Sequence, residues 1–148
     1  MKTAIVYYSQ HHGNTLKLLE AIRKASSDQI TLINVADGME VDLTPYDRIG
    51  FASGIYYSKF DKRVLSYAKE RTPNGKDVFF VYTCGTMKEG YTKAIREALA
   101  GKDANILGEY GCLGWDTFGP FKLMGGLAKN HPDAAEVDQA VAFYKHLH

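Results

Sequence analysis

Short runs rich in β-branched and aromatic residues alternate along this chain with segments of helical period, and that alternation constrains the fold more than any other feature. Thr3-Ala-Ile-Val-Tyr-Tyr-Ser9 is the first such run, and the turn Gln10-His-His-Gly13 follows it. Asn14 or Thr15 caps a helix reaching about Ala25, with Leu16, Leu18, Leu19 and Ile22 on its apolar face. Gln29 to Val35 reads as a second strand, and Arg48-Ile-Gly-Phe-Ala-Ser53 as a third that stops at Gly54. A weaker helix is expected from Asp61 to Glu70, with Val64, Leu65 and Ala68 inward, before the turn Thr72-Pro-Asn-Gly75. Asp77-Val-Phe-Phe-Val-Tyr-Thr83 is almost wholly apolar, as suits a strand covered on both faces. The next helix places Tyr91, Ala94, Ile95, Ala98 and Leu99 on one stripe, and Ala104 to Cys112 is a fifth strand. Leu113 to Pro132 is a long segment rich in Gly and aromatics. A last helix, Ala134 to His148, turns Val137, Ala140, Val141, Tyr144 and Leu147 inward.

Strands alternating with helices imply right-handed crossovers and a parallel sheet covered on both faces. The expected fold class is therefore α/β: a three-layer, doubly wound, five-stranded parallel sheet with strand order 2-1-3-4-5. At 148 residues the chain is expected to form one domain spanning 1–148. Such sheets bind ligands beyond the carboxyl ends of their strands, where the strand order reverses. Here that crevice falls between strands one and three. Three small or polar segments end strands at this edge: Ser9 to Thr15, Ser53 to Tyr57 and Thr83 to Thr86.

Charge narrows the function. Lys and Arg total 18 and Asp and Glu total 17, so the net charge is +1 and no basic excess suggests a nucleic-acid partner. No apolar run approaches the roughly 20 residues of a membrane span. The N-terminal segment reads as a strand rather than a signal peptide, so a cytoplasmic location is expected. Cys84 and Cys112 stand alone, without a CxxC or His/Cys cluster. They are expected to be reduced, half-buried thiols at strand ends in a reducing compartment, with no zinc site.

The loop Ser9-Gln-His-His-Gly-Asn-Thr15 follows a strand and opens a helix. Successive backbone N–H groups in such a bend, with about half a positive charge at the helix N-terminus, form an anion site that needs no lysine, and Ser9, Asn14 and Thr15 are expected to add side-chain donors. An ordinary capped turn is the other reading of the same residues. The loop is neither G-x-G-x-x-G nor G-x-x-x-x-G-K-[ST], which excludes a dinucleotide fingerprint and a P-loop. Tyr8, Ser9 and Gln10 stand where a receiver domain needs acidic residues, and no Cys opens the loop as in a low-molecular-weight tyrosine phosphatase.

The pattern strand–Ser9-x-x-x-Gly13-Asn14-Thr15–helix resembles the FMN phosphate loop of flavodoxins, and the resemblance covers essentially the whole chain. It extends to Ser53-Gly-Ile-Tyr-Tyr57, to Thr83-Cys-Gly85 and to Asp116-Thr-Phe-Gly-Pro-Phe-Lys-Leu. The resemblance implies that Ser9, Gln10, His11, His12, Gly13, Asn14 and Thr15 surround the FMN phosphate. It implies that Ser53, Gly54, Ile55, Tyr56 and Tyr57, with Thr83, Cys84 and Gly85, flank the isoalloxazine ring. In flavodoxins a Gly peptide near Gly54 turns its carbonyl toward the reduced flavin; locally, Gly54 reads equally well as a residue that lets the chain leave its strand. Two departures stand out. His11 and His12 occupy positions where flavodoxins usually carry Ser or Thr. The chain is neutral where many flavodoxins are acidic, with Lys59, Lys62 and Arg63 just after the second flavin loop.

Tyr56, Tyr57, Phe60 and Trp115 are candidates to stack on a flavin face or to serve as ordinary core lids. His11 and His12 lack further ligands for a metal, and no metal is expected. The expected function is FMN-dependent electron carriage between redox partner proteins, with no catalytic side chain. Two alternatives are an FMN-dependent oxidoreductase acting on a quinone or porphyrinogen, and a non-redox binding domain.

Overall fold

A strand buried on both faces leaves each side chain parity its own core, and that is how this sheet is built. The computed structural model describes residues 1–10, 13–115 and 128–147. In the strand β1 (Lys2–Tyr8), Ala4, Val6 and Tyr8 face one core, and Ile5 and Tyr7 face the other. Helix α1 (Asn14–Ala25) covers the second face with Leu18, Leu19 and Ile22, as its periodicity predicts. The strands β2 (Gln29–Asn34) and β3 (Arg48–Tyr56) pair on either side of β1, both in parallel.

After β3 comes an element that no sequence pattern announces. The short strand β4 (Lys59–Phe60) folds back antiparallel on β3, with Tyr56 opposite Lys59 and Ile55 opposite Phe60. Tyr57 and Ser58 form its two-residue turn, both at positive φ (51° and 66°), as a hairpin turn of this length requires. β3 therefore does not stop at Gly54. It continues to Tyr56 because Gly54 pairs with Thr83 and Ile55 finds a partner in β4.

Helix α2 (Lys62–Arg71) is capped by Asp61, which accepts the Arg63 N–H. The strand β5 (Asp77–Cys84) lies beside β3, and β6 (Asn105–Leu113) closes the sheet. The order is β2-β1-β3-β5-β6, with β4 off the path, so the five parallel strands follow the expected 2-1-3-4-5 arrangement. Between β5 and β6 the helix α3 (Lys93–Ala98) is shorter than the apolar stripe suggests, and Tyr91 lies before it rather than within it. Helix α4 (Ala134–Lys145) ends before the expected His148, with Asp133 and Glu136 forming a reciprocal capping box. α2 and α3 pack with Phe51, Phe60 and Phe80 in one core; α1 and α4 pack with Ile5, Phe79 and Val81 in the other.

Candidate functional site

The crevice opens where β1 and β3 end, between connections that leave the sheet in opposite directions. Its volume is about 280 Å³ including its open mouth. Gln10 and Asn14 reach it from the first loop, and Gly54, Ile55 and Tyr56 from β3. Thr83, Cys84 and Gly85 line it from the end of β5, and Gly114 and Trp115 from beyond β6. Nine of these ten residues are among those named from the sequence. Gly114 is the one missed, although it sits at a strand tip beside Trp115. No charged side chain lines the crevice among the described residues.

The first loop ends in a bare helix N-terminus. Gly13 is the N-cap residue of α1, in the left-handed region at φ 65°, and has no capping side chain. No acidic residue stands in the first turn. A Cβ built on Gly13 would meet nothing within 4 Å, so open space faces this turn. The side chains of Ser9, Asn14 and Thr15, expected as donors to a ligand, each hydrogen-bond within the protein. Ser9 Oγ accepts the Leu16 N–H at 3.2 Å. Asn14 Nδ2 donates to the Trp115 carbonyl at 2.8 Å, and Thr15 and Thr83 join hydroxyl to hydroxyl at 2.8 Å. The last two bonds tie the start of α1 to the end of β5 and to the segment after β6. His11, His12 and Asp116 to Leu123 lie outside the described residues.

The second loop is held by Ser53, whose side chain is fully buried. Its Oγ accepts the Asp61 N–H at 3.0 Å and donates to the Gly54 carbonyl. That carbonyl is thus already engaged. A Cβ on Gly54 would stand 3.0 Å from Tyr56 Oη, so the glycine also makes room for that ring. Tyr56 packs against Tyr8, with ring centroids 6.1 Å apart. Tyr8 in turn donates to Gln10 Oε1 at 2.6 Å and lies 3.8 Å beneath the Arg63 guanidinium, which Asp61 grips with both oxygens.

The four aromatic candidates separate in space. Tyr56 and Trp115 line the crevice. Tyr57 is 83% exposed at the hairpin tip. Phe60 is core, packed edge-on against Phe80, and is excluded as a stacking residue. The two thiols are buried rather than half-buried, and they face opposite cores. Register explains this: Cys112 pairs with Thr83, so Cys84 has the opposite parity and the two cannot act as a dithiol. Cys84 lies on the crevice, within 3.2 Å of Met87 Sδ. Burial and the nearby Glu136 push the Cys112 thiol up to about 12, so it stays protonated.

A family profile described as Flavodoxin domain matches residues 5–110, which span β1 to most of β6. The chain belongs to the flavodoxin family. An uncharacterized protein of Methanocaldococcus jannaschii is 38% identical over 152 residues, covering 99% of this chain and 98% of the relative. Flavodoxin 1 from Bacillus cereus superposes with a TM-score of 0.67 at 17% identity, covering both chains completely. The Fusobacterium nucleatum flavodoxin bound to flavin mononucleotide gives 0.65 at 15% identity, covering 98% of each chain. The crevice of this chain lies at the switch point between β1 and β3, and no described helix is long and apolar enough to cross a membrane.

Proposed function

We propose that this chain binds FMN at the switch-point crevice and carries electrons between protein partners. One observation carries the reading: an uncapped, acid-free helix N-terminus at Gly13 opens beside a crevice without charged side chains. A phosphate monoester suits the first, where the N–H groups of the α1 first turn and the helix dipole attract an anion. A flat, largely apolar ring system suits the second, between residues such as Tyr56, Gly85 and Trp115. Bound FMN would supply one- and two-electron transfer. The chain's part is to grip, orient and shield. Gly13, Asn14 and Thr15 would hold the phosphate by backbone N–H. Thr83, Gly85 and Ile55 would wall the ring, and the Ser53–Gly54 pair would set the polarity along its edge.

A carrier is favoured over a small-molecule enzyme because the crevice offers no acid–base pair among the described residues, while Tyr57 and Met87 stand exposed beside it. The test is titration of apoprotein with FMN and with FAD, followed by flavin fluorescence. FMN is expected to bind and FAD to bind much more weakly, since the terminal phosphate would be closed off by α1. Equal or tighter FAD binding overturns the FMN assignment. Rapid NAD(P)H-dependent reduction of a quinone by the holoprotein alone would replace the carrier by an oxidoreductase.

A further inference from the structure

We infer that the crevice rim is a docking surface for an acidic redox protein, one that rings its own redox centre with carboxylates; this rests on the flavin reading above. Four lysines mark the rim. Lys59 stands opposite Tyr56 in the hairpin, and Lys62 opens α2 directly after Asp61, whose N–H holds Ser53. Lys88 follows Met87, which touches Cys84, and Lys129 Nζ lies 5.8 Å over the Trp115 ring. All four are exposed, and none joins an ion pair among the described residues.

The neighbouring opposite charges are largely spent. Asp61 is occupied by Arg63, Glu40 by Arg71 and Glu20 by Arg23. Among the described residues Glu89 beside Lys88 and Glu70, across the groove from Lys62, are the carboxylates near the rim with no ion pair, and Asp37 sits two strands away, beyond β2. Among the described residues of the rim, unpaired lysines thus outnumber unpaired carboxylates, on a chain whose net charge is only +1. Within that ring stand two exposed apolar side chains, Tyr57 at 83% and Met87 at 49%. An apolar centre with a periphery of one sign is the pattern of an electrostatically steered interface, and the sign selects a partner of opposite charge.

Stopped-flow oxidation of the dithionite-reduced holoprotein reads the sign directly. Two ferricyanide ions, taking one electron each, reoxidise one fully reduced flavin, whose protons leave to solvent. Ferricyanide oxidation should slow roughly threefold or more as ionic strength rises from about 0.01 to 0.3 M, and oxidation by the cobalt(III) tris(phenanthroline) trication should quicken. The triple variant Lys59→Glu/Lys62→Glu/Lys88→Glu should reverse both slopes, while Lys24→Glu/Lys145→Glu at the far pole should change neither. By calorimetry at low salt, a plant-type ferredoxin, which is acidic, should bind and the basic cytochrome c should not. A ferricyanide rate that rises with salt, an unaltered triple variant, or preference for cytochrome c overturns the proposal. Failure of the flavin reading looks different: FMN is not retained, and the calorimetry, which needs no flavin, still decides the docking surface.

Discussion

Thr15 and Thr83 meet hydroxyl to hydroxyl at 2.8 Å, one from the first turn of α1 and one from the end of β5. Both are almost fully buried. The bond ties the start of α1 to the end of β5 beside the crevice. Thr15→Val or Thr83→Val alone leaves one buried hydroxyl unpaired and is expected to cost about 1–3 kcal/mol. The double Val variant should cost less than the sum of the two, because no hydroxyl is then orphaned. Urea unfolding of the four proteins measures this, and strict additivity would mean that the bond contributes nothing.

Gly13 carries its prediction in its backbone. At φ 65° it holds the left-handed conformation that disfavours a Cβ, by about 1–2 kcal/mol for an ordinary residue. Space is not the obstacle, since a Cβ there meets nothing. Gly13→Val should weaken FMN binding at least tenfold, and Gly13→Asn, which tolerates this region, should weaken it less. His11→Thr/His12→Thr should leave affinity within a few-fold. Fluorescence titration ranks the variants; the reverse order would mean that the histidines, not the turn, hold the phosphate.

Ser53 decides what the Gly54 carbonyl does. Ser53→Ala removes the hydroxyl from that carbonyl and leaves the Asp61 N–H without its acceptor. Stability should fall by about 1–3 kcal/mol. The freed carbonyl becomes an acceptor for N–H groups that a bound flavin gains on reduction. The first reduction potential should then rise by tens of millivolts, since about 0.5–1.5 kcal/mol is at stake and 59 mV is a tenfold change in a one-electron equilibrium. Gly54→Ala acts differently, crowding Tyr56 Oη at 3.0 Å, and should lower the potential. Potentiometric titration followed by visible absorbance separates the two; unchanged potentials in both place the control elsewhere.

Alkali should unfold this protein through its buried acids. Burial, with Glu136 nearby, holds Cys112 at about 12 against 9.0 when exposed. Burial, with Glu109 nearby, holds Tyr82 at about 12 against 10.0. Above the lower value of each pair the unfolded chain has released a proton that the folded chain retains, so stability falls as pH rises. The loss begins near pH 9.0 through Cys112, and Tyr82 joins it from 10.0. Each group contributes up to about 1.4 kcal/mol per pH unit. Urea midpoints between pH 8 and 11 record the slope. Cys112→Ala should flatten its first part, and a slope unchanged by that variant would remove Cys112 from the account.

What the sequence by itself determined is everything that repeats locally. Leu18, Leu19 and Ile22 recur at helical spacing, and the unbroken run Asp77 to Thr83 admits only a strand covered on both sides. From that order of elements the sheet topology and the crevice between β1 and β3 follow, because crossovers have one hand. The tertiary structure alone decided how the strand tips engage one another. Nothing in Tyr57-Ser58 signals a hairpin, which usually shows Asn-Gly; β4 forms because Phe60 buries against Phe80 and Tyr82. Cys84 and Cys112 look alike in the sequence, but the pairing of Cys112 with Thr83 sends them to opposite cores. Asn14 and Thr15 read as ligand donors until the register brings Trp115 and Thr83 within hydrogen-bond reach. Periodicity is a property of neighbouring residues and survives in the sequence. A hydrogen bond between loops depends on how packed layers set the offset between strands, and that offset exists only once both cores have closed.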